Sequence, residues 1–93
     1  MAGAEITITY CTQCRWLLRS AWLAQELLTT FEQDLAGVTL APATGGVFQI
    51  SVNGMIVWER KRDGGFPDIK VLKQRVRDII DPARDLGHSD THS

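Results

Sequence analysis

The sequence has few cysteines, no excess of charge of either sign and no long apolar run. Its 93 residues include only two cysteines, and ten basic against eleven acidic residues give a net charge of −1. That balance argues against a partner held by bulk charge, such as nucleic acid or a membrane surface. No apolar run approaches the roughly 20 residues that a membrane-spanning helix needs. What remains is a single globular domain of ordinary composition, without repeats or linkers.

Residues 1–5 lack the basic and apolar regions of a signal peptide, which predicts a cytoplasmic protein. In a reducing cytosol a pair of cysteines is more often catalytic or metal-binding than a structural crosslink. The pair here is Cys11 and Cys14, with two residues between them. Zinc sites normally use four ligands, and the only histidines, His88 and His92, lie in the polar tail. We therefore predict no metal site, with half of a shared zinc site or a chance pair as the alternatives.

Hydrophobic periodicity predicts six elements in the order β-α-β-β-β-α. Asn53-Gly54 lies between two apolar runs, which is typical of a two-residue hairpin because both residues tolerate positive φ. A charged loop is predicted at 61–66, a domain at 1–81, and a polar, disordered tail at 82–93. The predicted strands are 5–10, 38–41, 47–52 and 55–60, and the predicted helices are 14–34 and 67–81.

This order predicts an α/β fold: a four-stranded mixed sheet, with a parallel first pair beside the hairpin and both helices on one face. The carboxyl end of the first strand would then meet the start of the third strand and the end of the fourth. Cys11, Gly45-Gly46 and the 61–66 loop are thus expected to converge at one edge of the sheet.

Thiols at a junction of strand and helix are suited to disulfide chemistry. Three features would lower a thiol pKa there: the helix N-terminus with its charge of roughly +0.5, the backbone donors of the first turn, and Arg15. A thiolate attacks a disulfide, and the neighbouring thiol resolves the mixed disulfide.

Several separated motifs resemble the selenoprotein W-like Rdx family, within the thioredoxin-like fold. The resemblance is carried by Tyr10–Cys14, Thr44–Ile50, Asn53-Gly54 and Gly65–Asp68. It implies a small thiol–disulfide oxidoreductase of the cysteine type, linked to glutathione and antioxidant defence. In selenium-containing relatives the selenocysteine matches Cys14.

The resemblance leaves the roles of the two thiols open. The thioredoxin comparison makes Cys11 the exposed attacker, which is the assignment we expect, whereas the selenoprotein comparison places the special chemistry at Cys14. Thioredoxins also carry a cis-proline before the third strand, where this chain has Gly45-Gly46-Val47. Residues expected to support the thiols are Arg15, Gly45, Gly46, Val47 and Phe48.

Two further sites are hypotheses. Gly64, Gly65 and Phe66 resemble the glycine pair of glutaredoxins, which implies a place for a glutathione carboxylate; the alternative is an ordinary loop with Asp68 as helix cap. Leu18 and Trp22 fall outside the core stripe of the first helix and indicate a protein partner, unless Trp22 packs within the monomer.

The leading function is thus a thiol–disulfide oxidoreductase that needs no cofactor, with glutathione or a protein disulfide as partner, acting as a monomer or weak homodimer. The alternatives are a redox-responsive interaction protein and a zinc module shared across a dimer.

Overall fold

A computed structural model describes residues 3–87 and contains four strands and three helices. The sheet has the order β2-β1-β3-β4, with β1 parallel to β2 and antiparallel to β3. The predicted four-stranded mixed sheet is confirmed, and so is the element order apart from one added helical turn. The elements are β1 (Ala4–Cys11), α1 (Leu17–Phe31), β2 (Leu35–Ala43), β3 (Phe48–Val52), β4 (Met55–Glu59), α2 (Arg60–Asp63) and α3 (Ile69–Ile80).

The core lies between the sheet and the helices α1 and α3. Alternate residues of β1 point into it, because successive side chains of a strand face opposite sides of the sheet. Ile6 and Ile8 are fully buried there, opposite Val52 and Ile50 of β3. The helices contribute apolar side chains from the other side: Leu23, Leu27, Phe31, Leu72 and Val76.

The first helix is shorter than predicted at both ends. It was expected to span 14–34, but residues 12–15 form a turn in which Arg15 has a φ of 58°, a left-handed conformation that a right-handed helix does not accept. At the other end β2 begins at Leu35, ahead of the strand predicted at 38–41, and includes Gly37. The longer strand follows from pairing, since Glu5 of β1 lies opposite Gly37.

The single turn of α2 begins at Arg60, the last residue of the strand predicted at 55–60, and continues into the loop predicted at 61–66. The Glu59 carboxylate accepts hydrogen bonds from the N–H groups of Lys61 and Arg62, and Gly64 ends the turn with a φ of 81°. One turn is too short to show hydrophobic periodicity, so the sequence pattern did not mark it.

The hairpin is confirmed, and the helix predicted at 67–81 is present as α3, which begins at Ile69. Asn53 and Gly54 both have positive φ, 50° and 84°, and the Asn53 side chain also accepts a hydrogen bond from the Glu5 N–H at 2.9 Å. Asp68 caps α3 by accepting from the Lys70 N–H at 2.8 Å.

Residues 82–87, in the segment predicted to be a disordered tail, contact the domain through Arg84 and Leu86. The Arg84 guanidinium pairs with the Asp34 carboxylate, donates to the Thr30 carbonyl at 2.7 Å and lies 5.2 Å from the Phe31 ring centroid. Leu86 packs against the core. Residues 88–93, with His88 and His92, lie outside the described residues.

Candidate redox site

The two cysteines lie at the carboxyl end of the central strand. Cys11 is the last residue of β1 and is only 1% exposed, whereas Cys14, in the following turn, is exposed. The Cys14 thiol donates to the Cys11 sulfur, and the two Sγ atoms are 2.7 Å apart. The turn is held by Thr12, whose N–H donates to the Ala43 carbonyl of β2 at 3.0 Å. Both sulfurs are free, and they are placed to exchange a proton and to form a disulfide.

Hydrogen bonding shifts the pKa values of the two thiols in opposite directions. The pKa of Cys11 is lowered, mainly because the Cys14 thiol donates to it; burial raises it, and the N–H groups of Gly46, Cys14 and Gln13 lower it further. The pKa of Cys14 is raised because its proton is shared with Cys11, because it is desolvated, and because the charge on Cys11 opposes a second thiolate. In the reduced pair the first negative charge therefore resides on the buried sulfur.

The sources of this effect differ from the predicted ones. The helix α1 begins at Leu17, beyond the turn that holds Cys14, so the donors to Cys11 come from that turn and from Gly46. Arg15 has an exposed side chain, and the positive charge that lowers the pKa of Cys14 is that of Arg60.

The expected convergence with Gly45-Gly46 is present. Both glycines have positive φ, 80° and 73°, a conformation that residues with a Cβ rarely adopt. The loop brings the Gly46 N–H to both sulfurs. Val47 follows, and Phe48 opens β3 with a fully buried ring. Before β3, where thioredoxins have their cis-proline, this chain has the Gly45-Gly46 loop, and none of the peptide bonds described is cis.

Three aromatic rings support the site from below. The Trp16 centroid lies 6.5 Å from that of Phe48 and 4.9 Å from that of Phe66, and the latter two are 4.8 Å apart. Cations cover the outer side of this cluster: Cζ of Arg19 is 4.2 Å from the Phe66 centroid, and Cζ of Arg60 is 5.2 Å from that of Trp16. Phe66 thus packs against Trp16, which follows the turn that holds Cys14, and against Phe48.

The glycines expected to meet glutathione make internal hydrogen bonds. The Gly65 N–H donates to the Arg60 carbonyl at 2.8 Å, and the Gly65 carbonyl accepts from Trp58 Nε1 at 2.9 Å. Gly64 supplies the left-handed end of α2. The N-terminus of α3 already holds a carboxylate, that of Asp68. This is the arrangement expected of an ordinary loop with Asp68 as helix cap. Glutathione contact at Gly64, Gly65 and Phe66 stays a prediction.

Apolar side chains are exposed on α1, the helix that follows the redox turn. Leu18 is 84% exposed and Trp22 49% exposed, so Trp22 is not packed away within the monomer. Leu18 separates two open grooves of about 530 and 430 Å³. The first is lined by Tyr10, Thr12, Gln13, Arg15, Leu17 and Leu18, and the second by Leu18, Arg19, Trp22, Leu23, Phe66 and Pro67.

Within residues 3–87, no three potential ligands among His, Cys, Asp and Glu are grouped so as to hold a metal ion. Over the same residues, no helix is both long and apolar enough to cross a membrane.

Fold and site together define a small thioredoxin-like α/β protein with a dithiol at the end of its first strand. Comparison with known proteins agrees: residues 5–78 match the Rdx family. The chain belongs to the Rdx family.

Solved structures show the same fold at high identity. A selenoprotein W-related protein from Vibrio cholerae superposes with a TM-score of 0.83 at 62% identity, over 85% of this chain and 99% of that one. A crystal structure from Bordetella parapertussis has a TM-score of 0.81 at 64% identity, over 83% of this chain and 98% of that one. The predicted family is thereby confirmed.

More distant relatives include migration and invasion enhancer 1 of Mus musculus and of Bos taurus. Each is 30% identical to the chain, over 78 residues for mouse and 77 for cattle, which are 82% and 81% of this chain. The chain spans 64% of the length of these relatives. Family membership and the adjacent thiols together indicate a redox function.

Proposed function

We propose that this protein is a thiol–disulfide oxidoreductase in which Cys11 and Cys14 cycle between dithiol and disulfide. The observation that carries the proposal is the contact between two free sulfurs 2.7 Å apart, one buried and one exposed. The shared proton keeps one thiolate in the pair, and the exposed sulfur gives a substrate access to it. A reducing compartment, such as the cytoplasm, and a role in antioxidant defence belong to the same proposal.

Cys14 is the attacking sulfur in this scheme, in place of the expected Cys11. Attack by Cys11 requires that the first cysteine be the exposed one, whereas Cys11 is buried and Cys14 is exposed. The proton moves from Cys14 to Cys11, and the Cys14 thiolate attacks a substrate disulfide and releases one substrate thiolate. Cys11 then loses its proton and attacks Cys14 Sγ, which forms the internal disulfide and releases the second substrate thiolate. The substrate is reduced by two electrons and the pair is oxidised by two.

The disulfide partner is glutathione or a protein, and the surface favours a protein. The groove beside Leu18 and Trp22 is apolar and wide, while the N–H of Gly65 and the N-terminus of α3 are already occupied. A protein disulfide whose flanking residues lie over Leu18 would present its sulfur to Cys14.

Trapping distinguishes the two sulfurs. Each single variant, Cys11→Ser and Cys14→Ser, is treated with an excess of glutathione disulfide, and adducts are counted by intact mass spectrometry. We expect Cys11→Ser, which keeps Cys14, to accumulate the mixed disulfide much faster than Cys14→Ser. Adduct formation only in Cys14→Ser would assign the attack to Cys11. The double variant is the control.

Turnover tests the function itself. Wild-type protein is expected to catalyse reduction of a mixed disulfide by a thiol reductant. Both single variants are expected to lose the catalysis that passes through the Cys11–Cys14 disulfide. Absence of catalysis in the wild type would contradict the oxidoreductase proposal.

A second candidate function is a redox-responsive interaction protein, favoured by the exposure of Leu18 and Trp22 on α1, the helix that follows the redox turn. Here the disulfide state of the turn controls binding of a partner to α1. A stable disulfide without turnover, together with partner binding that differs between oxidised and reduced protein and is lost in Leu18→Ser, would support it.

A further inference from the structure

Arg60 differs from the other basic residues of its segment. Arg62 is paired with Asp63 at 2.9 Å, and Lys61 is exposed. Arg60 is partly buried: its Nε is fully covered and has no hydrogen-bond partner among the described residues. Its guanidinium lies over the Trp16 ring, with Cζ 5.2 Å from the centroid. A covered N–H without an acceptor is costly, and the positive charge of this guanidinium is available to a neighbouring anion.

The neighbour is the loop that holds the thiols. A Cβ at Gly46 would lie 4.0 Å from Nη2 of Arg60, so the guanidinium lies against this glycine. The Gly46 N–H in turn lowers the pKa of both thiols by hydrogen bonding. The backbone of Arg60 is fixed, because its carbonyl accepts from the Gly65 N–H at the end of α2. Arg60 therefore lies against the loop whose N–H acts on both thiols.

We propose that Arg60 is a positioning residue that draws the negative charge of the reduced pair from buried Cys11 to exposed Cys14. The proposal rests on the proposed function, in which Cys14 attacks. The proton of the Cys14 thiol transfers to the Cys11 thiolate, and the new Cys14 thiolate lies in the field of the guanidinium. No other reactant is needed, since the proton stays within the pair.

The titration of Cys14 agrees with this geometry. The hydrogen bond to Cys11 raises the pKa of Cys14, and the positive charge of Arg60 lowers it, as does the Gly46 N–H. The first negative charge thus favours Cys11, and Arg60 favours its transfer to the exposed Cys14.

The test isolates Cys14 in a Cys11→Ser background. Alkylation of Cys14 by iodoacetamide is followed as a function of pH in three variants: Arg60→Met, Arg60→Lys and Lys61→Met. Methionine keeps an unbranched stem over Trp16 and removes the charge. Lys61→Met is the matched control, because it removes the same charge from an exposed neighbour. Thermal unfolding is recorded for each variant, and Arg60→Gln supplies a second neutral side chain if Arg60→Met unfolds.

Arg60→Met is expected to slow alkylation near neutral pH roughly fivefold and to move its profile to higher pH, the effect of removing one charge at close range in a water-like surrounding. Arg60→Lys should recover most of the rate, and Lys61→Met should leave the profile unchanged. Coincident profiles for Arg60→Met and Lys61→Met would overturn the proposal.

Disulfide turnover by the protein with both cysteines separates this inference from the function on which it rests. If the wild type turns over and the alkylation profile of Arg60→Met is not shifted, only the role of Arg60 is refuted, and the oxidoreductase function stands. A shifted profile without wild-type turnover would refute the oxidoreductase function and leave the electrostatic role in place.

Discussion

Replacing Phe66 by alanine tests whether this residue supports the redox turn by packing. The sequence placed Phe66 in a glutathione site, whereas its ring contacts those of Trp16 and Phe48. If packing is its role, the substitution lowers the free energy of unfolding in the absence of any ligand. If ligand contact is its role, the folded protein is nearly unaffected and only binding is lost.

The contacts determine the expected size of the loss. A buried Phe→Ala change costs about 3–5 kcal/mol, and Phe66 is only partly buried, so about 3 kcal/mol is expected. Two aromatic contacts at about 1 kcal/mol each account for most of it. In a domain of 93 residues each kcal/mol lowers Tm by about 4–8 °C, so Tm should fall by roughly 15 °C. Phe66→Leu keeps apolar volume and should cost about 1 kcal/mol.

Urea unfolding followed by tryptophan fluorescence measures these values, with Ile56→Ala on the exposed part of β4 as the control. Ile56→Ala should change stability by less than about 0.5–1 kcal/mol. A loss below about 1 kcal/mol in Phe66→Ala, no larger than that of the control, would refute the packing argument and return Phe66 to the ligand hypothesis.

Three further measurements probe the charges of the fold. Because the pKa of Cys11 is lowered and that of Cys14 raised, thiolate absorbance at 240 nm should rise in two steps as the pH of the folded protein is increased. The first step should lie at lower pH, and the second at higher pH, than the thiol titration of the urea-unfolded chain. A single step at the pH of the unfolded chain would contradict the shared proton. The Glu59 N–H, with two arginines, lowers the pKa of Asp63 from 3.8 to about 2, so its stabilisation is complete above pH 4 and lost as pH falls through 2. Asp63→Asn should therefore lower the urea midpoint at pH 6 but have little effect near pH 2, whereas exposed Asp78→Asn should have little effect at either pH. Arg84→Ala should cost about 1–2 kcal/mol in urea unfolding, since it removes charge-assisted hydrogen bonds of residues 82–87, and a cost within 0.5 kcal/mol would show that this segment is not held by Arg84.

Locally encoded features of this fold were predictable. Asn53-Gly54 specifies its own turn, because both residues accept positive φ, and Asp68 is an ordinary helix cap. The meeting of Cys11 with Gly45-Gly46 followed from strand order alone, since the end of β1 must lie beside the start of β3.

Features that depend on one backbone angle or on distant side chains were not predictable. The exposure of Cys14 depends on the turn in which Arg15 adopts a φ of 58°, and no pattern of residue types marks that angle. The choice of Arg60 over Arg15 as the cation near the thiols depends on the single turn of α2. Docking of Arg84 on the end of α1 joins segments far apart in the chain.

The position of β1 in the middle of the sheet has a consequence for how the protein folds. This strand precedes both of its partners in the chain, and Ile6 pairs with Val52 of the hairpin. Contacts between residues so far apart in the chain slow folding, because the entropy cost of closing a long loop comes before the strand hydrogen bonds that offset it. Cys11 acquires the Gly46 donor only when β3 docks. The part of the Cys11 pKa lowering that comes from Gly46 therefore depends on docking of β3, whereas the larger part comes from Cys14 in the adjacent turn.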